Sequence, residues 1–172
     1  MSDSSLTGPL TKKSLLKISQ MKRLSDPQSR QEILVRLGQV QPGTPRCWGA
    51  MTAPQMICHL RDSFLGVMGD MPMAIPPFTW MRLTKTYALY APFKWPHGVP
   101  TRPEFDQVHG QGTPPAEFEA DVKSLHAAIA KFTAQPRGFD FCPHPIFGRM
   151  SEKQWMRWSY LHTDHHLRQF GA

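Results

Sequence analysis

The chain has 172 residues, enough for one domain with a substantial core, and its 17 prolines predict long irregular connections. No apolar run reaches the roughly 18 residues that cross a bilayer, and the first residues lack the features of a secretory signal, so we expect no membrane partner. The net charge of +7 is spread along the chain, with Lys12-Lys13 and Lys22-Arg23 as adjacent basic pairs, which argues against nucleic acid as a partner.

Residues 1–20 are rich in Ser, Lys and Thr and predict a flexible lead-in, so we place a single helical domain at 21–172. The first helix is predicted to start at Asp26-Pro27, because Asp is a good N-cap and Pro suits the first helical position. Gly38 is predicted to end it. Its apolar stripe consists of Ile33, Leu34 and Leu37.

A capping box of Thr52 and Gln55 predicts the start of the second helix, which ends near Gly69. His59 lies on its packed side. That face is formed by Met56, Leu60, Ser63, Phe64 and Val67.

A third helix is predicted at 79–90, with Trp80, Leu83 and Tyr87 facing inward together with Tyr90 or Leu89. Residues 92–115 follow, with six prolines and three glycines. This is the longest irregular segment, and such loops are usually functional or mobile.

A fourth helix is predicted at 115–133 from the regular spacing of its apolar residues. Ser151 and Gln154 form a second capping box, which starts a last helix that runs to about Phe170. Five helices without a strand pattern predict an all-α bundle with long Pro-rich loops.

The candidate site lies in this last helix. His162 and His166 are four residues apart, so their rings project from one face and could hold one transition metal. His59, on another helix, would complete a three-histidine site. His165 is offset by about 100° and is assigned to another face. The alternative is that these histidines simply pack, and the spacing alone leaves both interpretations open.

Several neighbours of these histidines are weaker candidates. Asp62, Ser63 and Ser159 could orient ligands or handle protons, or could be ordinary packing residues. Asp164 is expected to face away. Trp155 and Trp158 are expected in the core or in a pocket wall.

The three cysteines, Cys47, Cys58 and Cys142, are odd in number and scattered, which favours a reduced, cytoplasmic protein. Cys58 is expected to point about 100° away from His59. Cys142 together with His144 could form a second metal or redox element.

Three stretches of the chain resemble the DinB/YfiT-like superfamily of metal-binding four-helix proteins, within a branch of unknown function. They are Trp48 to Leu60, His144 to Gly148, and Trp155 to Phe170. The resemblance covers about residues 22–171 and implies a DinB-like four-helix bundle with one additional helix. In that superfamily one histidine of the second helix and an H-x-x-x-H pair of the last helix bind a divalent metal. Those roles fall on His59, His162 and His166.

The resemblance implies a divalent transition metal, with Zn or Ni expected first and Fe or Mn as alternatives. It also implies a homodimer and a metal-dependent reaction on a small-molecule substrate, either thiol (S-)transfer with a low-molecular-weight thiol or hydrolysis. The last helix ends in Leu167-Arg168-Gln169 instead of the H-R-G-Q of many members, so the substrate does not carry over. The alternative is a non-enzymatic helical module, with a structural metal or packed histidines, that acts through a protein partner.

Overall fold

The computed structural model describes residues 21–75 and 80–172, and this part of the chain is helical and forms no strand. The α-helices in chain order are α1 (Pro27–Leu37), α2 (Ala53–Met68), α3 (Lys85–Tyr90), α4 (Phe118–Thr133) and α5 (Glu152–Gln169). Two 3-10 helices lie at Trp80–Thr84 and Pro103–Phe105. The predicted all-α class is confirmed. The lead-in expected at 1–20 lies outside the described residues.

The core lies between helices whose apolar stripes face one another. Helix α2 packs along α4 and also contacts α5, and α5 packs against α1 and α3. Phe64 of α2 meets Phe132 of α4 edge-to-face, with ring centroids 5.0 Å apart. Removal of these side chains from water supplies the main driving force for this packing. Because α2 and α5 touch, side chains on their facing sides can converge.

Three predicted helix starts, at Asp26, Thr52 and Ser151, are confirmed at the level of individual hydrogen bonds. Asp26 accepts the backbone N–H of Ser29 at 2.8 Å, and both predicted capping boxes are formed. Gly69 ends α2 with a φ of 80°, a left-handed conformation that favours glycine. Local sequence therefore sets both ends of α2 and the start of α5. This fixes the position of each histidine along its helix axis.

The inward face predicted for the third helix is wrong. Trp80, Leu83 and Tyr87 are 71%, 79% and 65% exposed, whereas Leu89 is buried as expected. The segment is a five-residue 3-10 helix followed by a six-residue α-helix. A 3-10 helix has 3.0 residues per turn, so a stripe read at the α-helical period does not continue from one part into the other.

Residues 92–115 fold back onto α2, and a buried carboxylate holds them there. Asp62 accepts the backbone N–H of Thr113 at 2.8 Å and Nε2–H of Gln107 at 2.9 Å, and it pairs with Arg61 at 3.0 Å. The short helix Pro103–Phe105 packs on α2 in consequence. None of the described helices is long and apolar enough to span a membrane.

Candidate metal centre

Three histidine rings from α2 and α5 meet at one point. The ligand nitrogens of His59, His162 and His166 all lie within 4.8 Å of one another. The Nε2 atoms of His59 and His162 are 3.2 Å apart. Two nitrogens that bind one zinc ion at tetrahedral angles are separated by about 3.3 Å, given Zn–N distances of about 2.0–2.1 Å. The three rings are thus arranged in a way that could hold a metal ion.

A backbone carbonyl fixes the proton of the His59 ring. Nδ1–H donates to the carbonyl oxygen of Phe105 at 2.8 Å, so the neutral ring leaves Nε2 as a free acceptor. Gly66, about two helix turns further along α2, allows this approach: a Cβ there would lie 2.6 Å from the Phe105 ring. The carbonyl therefore plays the part that outer partners play for metal-binding histidines.

His166 is oriented in the same way by a side-chain amide. Its Nδ1–H donates to Oε1 of Gln169 at 2.9 Å, and Nε2–H of Gln169 donates to the carbonyl oxygen of Trp48 at 2.9 Å. Gly49 has a φ of 78°, and a Cβ there would overlap the Gln169 amide. The segment before α2 thus holds a histidine of α5 at a set angle with Nε2 free.

His162 is held by stacking. Its ring lies on the indole of Trp158, with centroids 4.6 Å apart and planes inclined by 19°. The rings of His59 and His166 meet it edge-on, at 5.1 and 4.8 Å. Each of the three rings therefore has a defined orientation.

Burial keeps all three imidazoles neutral. It is the largest effect on each ring and lowers the pKa of His59, and it lowers the pKa values of His162 and His166 well below the usual range. The carbonyl of Phe105 opposes this effect at His59 without reversing it. Neutral imidazole is the form that binds a metal.

The cluster opens into a cavity of about 580 Å³. Its lining is mainly apolar and comes mostly from α2, the 3-10 helix Trp80–Thr84, α3, α5, the loop 91–105 and the turn at 144–147. Two cationic side chains also line it: Lys94 is exposed, and Arg102 is paired with Glu104 at 2.8 Å. The apolar wall includes Val67, Met81, Trp95, Phe105, Phe147 and Trp158.

The weaker sequence candidates have structural roles. Asp62 is fully buried and holds residues 107–113 in place without a hydrogen bond to a histidine ring. Ser63 lines the cavity, but its hydroxyl donates to the carbonyl of His59. Ser159 donates to the carbonyl of Met156 inside the core. Asp164 faces away, as expected, and binds Arg36 at 2.8 Å.

The expectations for the aromatic residues and cysteines are confirmed in part. Trp155 lies in the core and Trp158 in the cavity wall. Cys58 is buried away from the three-histidine cluster, and burial raises the pKa of its thiol to about 12. Cys142 and His144 belong to no group of three or more metal-ligating side chains in the described part of the chain.

His165 also faces the cavity, beside the three-histidine cluster. Its ring lies 6.3 Å from Trp95 and 6.2 Å from His97, both from the loop 92–115. The offset from its neighbours was predicted, but its place in the cavity wall was not.

The sequence does not predict the two groups that orient His59 and His166. Gln169 could have been found, because it lies three residues after His166 on the same helix face. The carbonyl of Phe105 could not, since any residue offers a carbonyl and the contact spans 46 positions of the chain.

These features define an all-helical protein with a buried three-histidine cluster that could hold a metal ion in the wall of an apolar cavity. The chain belongs to the family described as "Protein of unknown function (DUF1569)", whose model matches residues 16–172. No curated protein and no solved structure matches it.

Proposed function

We propose that this protein is a DinB-like metalloenzyme that binds one divalent transition metal through Nε2 of His59, His162 and His166. The observation that carries the proposal is the convergence of three neutral imidazoles in the wall of an apolar cavity. Zn or Ni is the first expectation, with Fe or Mn as alternatives, because imidazole suits several of these metals. The DinB resemblance adds a homodimer to the proposal, and the three scattered cysteines add a cytoplasmic location.

The hydrogen bonds of the rings favour a metal over simple packing. His59 and His166 both use Nδ1–H toward the protein, so both present Nε2 as an acceptor. His162 can donate to His59 through its Nε2 at 3.2 Å, and this leaves the Nε2 of His166 without a donor. That nitrogen is not enclosed, and His166 lines the cavity, so a cation could reach it from there. One cation would satisfy all three nitrogens at once.

The number of ligands favours catalysis over a structural role. Structural zinc sites are closed by four protein ligands, whereas catalytic sites keep a position open. Within the described ranges 21–75 and 80–172, the ligand group consists of the three histidines. A metal bound there would acidify a coordinated water or thiol, which is the chemistry that hydrolases and thiol transferases require.

The protein would contribute binding and exclusion of water. The apolar wall suits a small, mostly apolar substrate. Because three imidazole ligands are neutral, they would not reduce the positive charge of a bound cation, which could then act on a substrate in the cavity. A low-molecular-weight thiol is the co-substrate that the DinB resemblance suggests.

The alternative function is a helical module with a structural ion that acts through a protein partner. The exposed apolar side chains Trp80, Leu83 and Phe93 favour it, because exposed apolar patches often mark interaction sites. The two functions differ in the coordination of the ion: labile water favours the enzyme, and a closed shell favours the module.

Elemental analysis of untagged protein tests the metal site. We expect about one metal ion per chain in the wild type, and its loss in His59→Ala, His162→Ala and His166→Ala. His126→Ala, at an exposed position of α4, is the matched control and should keep its metal. Unchanged metal content in the three cluster variants contradicts the site. A screen of thiol-transfer and hydrolase substrates with and without chelator then tests the activity.

A further inference from the structure

The turn that carries His144 fixes the proton of that ring. His144 and Gly148 exchange two backbone hydrogen bonds of 2.8 Å, which close the turn. Inside it, Nδ1 of His144 accepts the backbone N–H groups of Ile146 at 3.0 Å and of Phe147 at 3.1 Å. A ring nitrogen that accepts hydrogen bonds carries no proton. The neutral imidazole therefore holds its proton on Nε2.

The Nε2–H group of the buried His144 ring has no acceptor among the described residues 21–75 and 80–172. The His144 ring is 5% exposed and lines the cavity. Its hydrogen bonds to described residues both use Nδ1, and Nε2 is not among the enclosed atoms that lack a partner. This N–H is therefore reached from the cavity. Burial lowers the pKa of the ring to about 3, in keeping with a neutral donor.

His144 and the three-histidine cluster share one neighbour. The Trp158 indole stacks on His162 at 4.6 Å and meets the His144 ring edge-on at 5.1 Å. All three side chains line the same cavity. A molecule that binds at the cluster and lies along the indole therefore reaches His144.

We infer that Nε2–H of His144 donates a hydrogen bond to an acceptor oxygen of the substrate, a mostly apolar molecule whose carbonyl lies a few atoms from its metal-binding atom. The inference rests on the proposed metal site and adds a substrate class to it. An N–H in an apolar wall discriminates strongly between molecules with and without an acceptor, because a bound molecule that covers the donor without accepting its hydrogen bond leaves it unmatched. A fixed neutral imidazole also polarises a carbonyl without giving up its proton.

A matched pair of probes isolates this hydrogen bond. The probes 2-mercaptoacetophenone and 2-phenylethanethiol share a thiol and a phenyl ring and differ in one carbonyl. Their affinities are measured on Co²⁺-loaded protein through the change in its visible spectrum. The variant His144→Asn keeps the turn, because an Asn oxygen accepts the same two backbone N–H groups, while its amide nitrogen stops short of the position of Nε2. His126→Asn is the control.

We expect the advantage of the ketone over the plain thiol to fall about fivefold in His144→Asn and to stay unchanged in His126→Asn. Chelation of the metal by the ketone contributes equally to both proteins and cancels. An unchanged ketone advantage with normal Co²⁺ binding refutes the inference alone. Failure of the wild type to bind Co²⁺ refutes the metal site and this inference with it.

A measurement on the wild type guards against a variant that does not fold. In the ¹⁵N-histidine spectrum of Zn²⁺-loaded protein, His144 should carry its proton on Nε2. The ketone should shift this proton downfield and the plain thiol should not. A proton on Nδ1, or equal shifts with both probes, overturns the inference.

Discussion

Gln169 offers the sharpest test of how the protein orients a ligand from outside the cluster. Its amide accepts from Nδ1–H of His166 and donates to the carbonyl of Trp48, both at 2.9 Å, and the side chain is buried. Loss of an outer partner of this kind lowers metal affinity about 10–100-fold. This corresponds to about 1.4–2.8 kcal/mol of binding free energy.

Two substitutions separate metal affinity from stability. Gln169→Leu removes both hydrogen bonds, so metal affinity should fall by that factor, and each buried group left without a partner should cost the fold about 1–3 kcal/mol. Gln169→Glu keeps an acceptor for His166 and raises its basicity, so affinity should be retained. A carboxylate cannot donate to the Trp48 carbonyl, so stability should still fall.

Zn²⁺ affinity is measured by competition with a chromophoric chelator, and stability by urea unfolding of metal-free protein. Gln28→Leu, at an exposed position of α1, is the matched control and should behave as the wild type. Wild-type affinity in Gln169→Leu, or equal losses of affinity in the Leu and Glu variants, would refute the orienting role.

Three further predictions concern packing, pH and thiol reactivity. Gly66→Ala should displace Phe105 and weaken Zn²⁺ binding in the same chelator competition, whereas Gly43→Ala, with open space around it, should have no effect. Burial lowers the pKa of the clustered histidines in the folded protein, so below about pH 6.5 the unfolded state binds more protons than the folded state. The free energy of unfolding of the metal-free protein, measured with urea, should therefore decrease as the pH falls below this value. A constant free energy of unfolding down to pH 5 would contradict this prediction. Exposed Cys47 should react with a thiol reagent at pH 8 in the native protein, and Cys58, whose thiol pKa is raised to about 12, should react only after unfolding.

Helix positions were predictable where a cap and a regular stripe agreed. Thr52 and Ser151 start α2 and α5 through hydrogen bonds to residues three positions on, so the signal and the structure are equally local. The inward face predicted for the third helix was wrong because the first part of the segment is a 3-10 helix, which breaks the α-helical period. No residue pattern in the sequence indicates that change. The fourth helix begins at Phe118, later than the predicted 115, after two prolines.

The three histidines of the cluster could be predicted from the sequence, whereas the groups and the cavity around them could not. His162 and His166 share a face by helix geometry alone, and His59 was placed on the packed side of its own helix. The sequence suggests His144 only as a partner of Cys142, whereas in the structure its ring lines the cavity and its Nδ1 accepts two backbone N–H groups. The direction of that ring depends on a turn closed by Gly148.

The sequence by itself determined that the chain is helical, where its main helices begin, and that three histidines lie on inward helix faces. These properties follow from interactions over three or four residues, which a linear pattern records. Only the tertiary structure decided that the rings meet and that Phe105 and Gln169 orient two of them. It also placed an apolar cavity beside the cluster, with the His144 ring in its wall. Those contacts join segments far apart in the chain, and their geometry is set by packing.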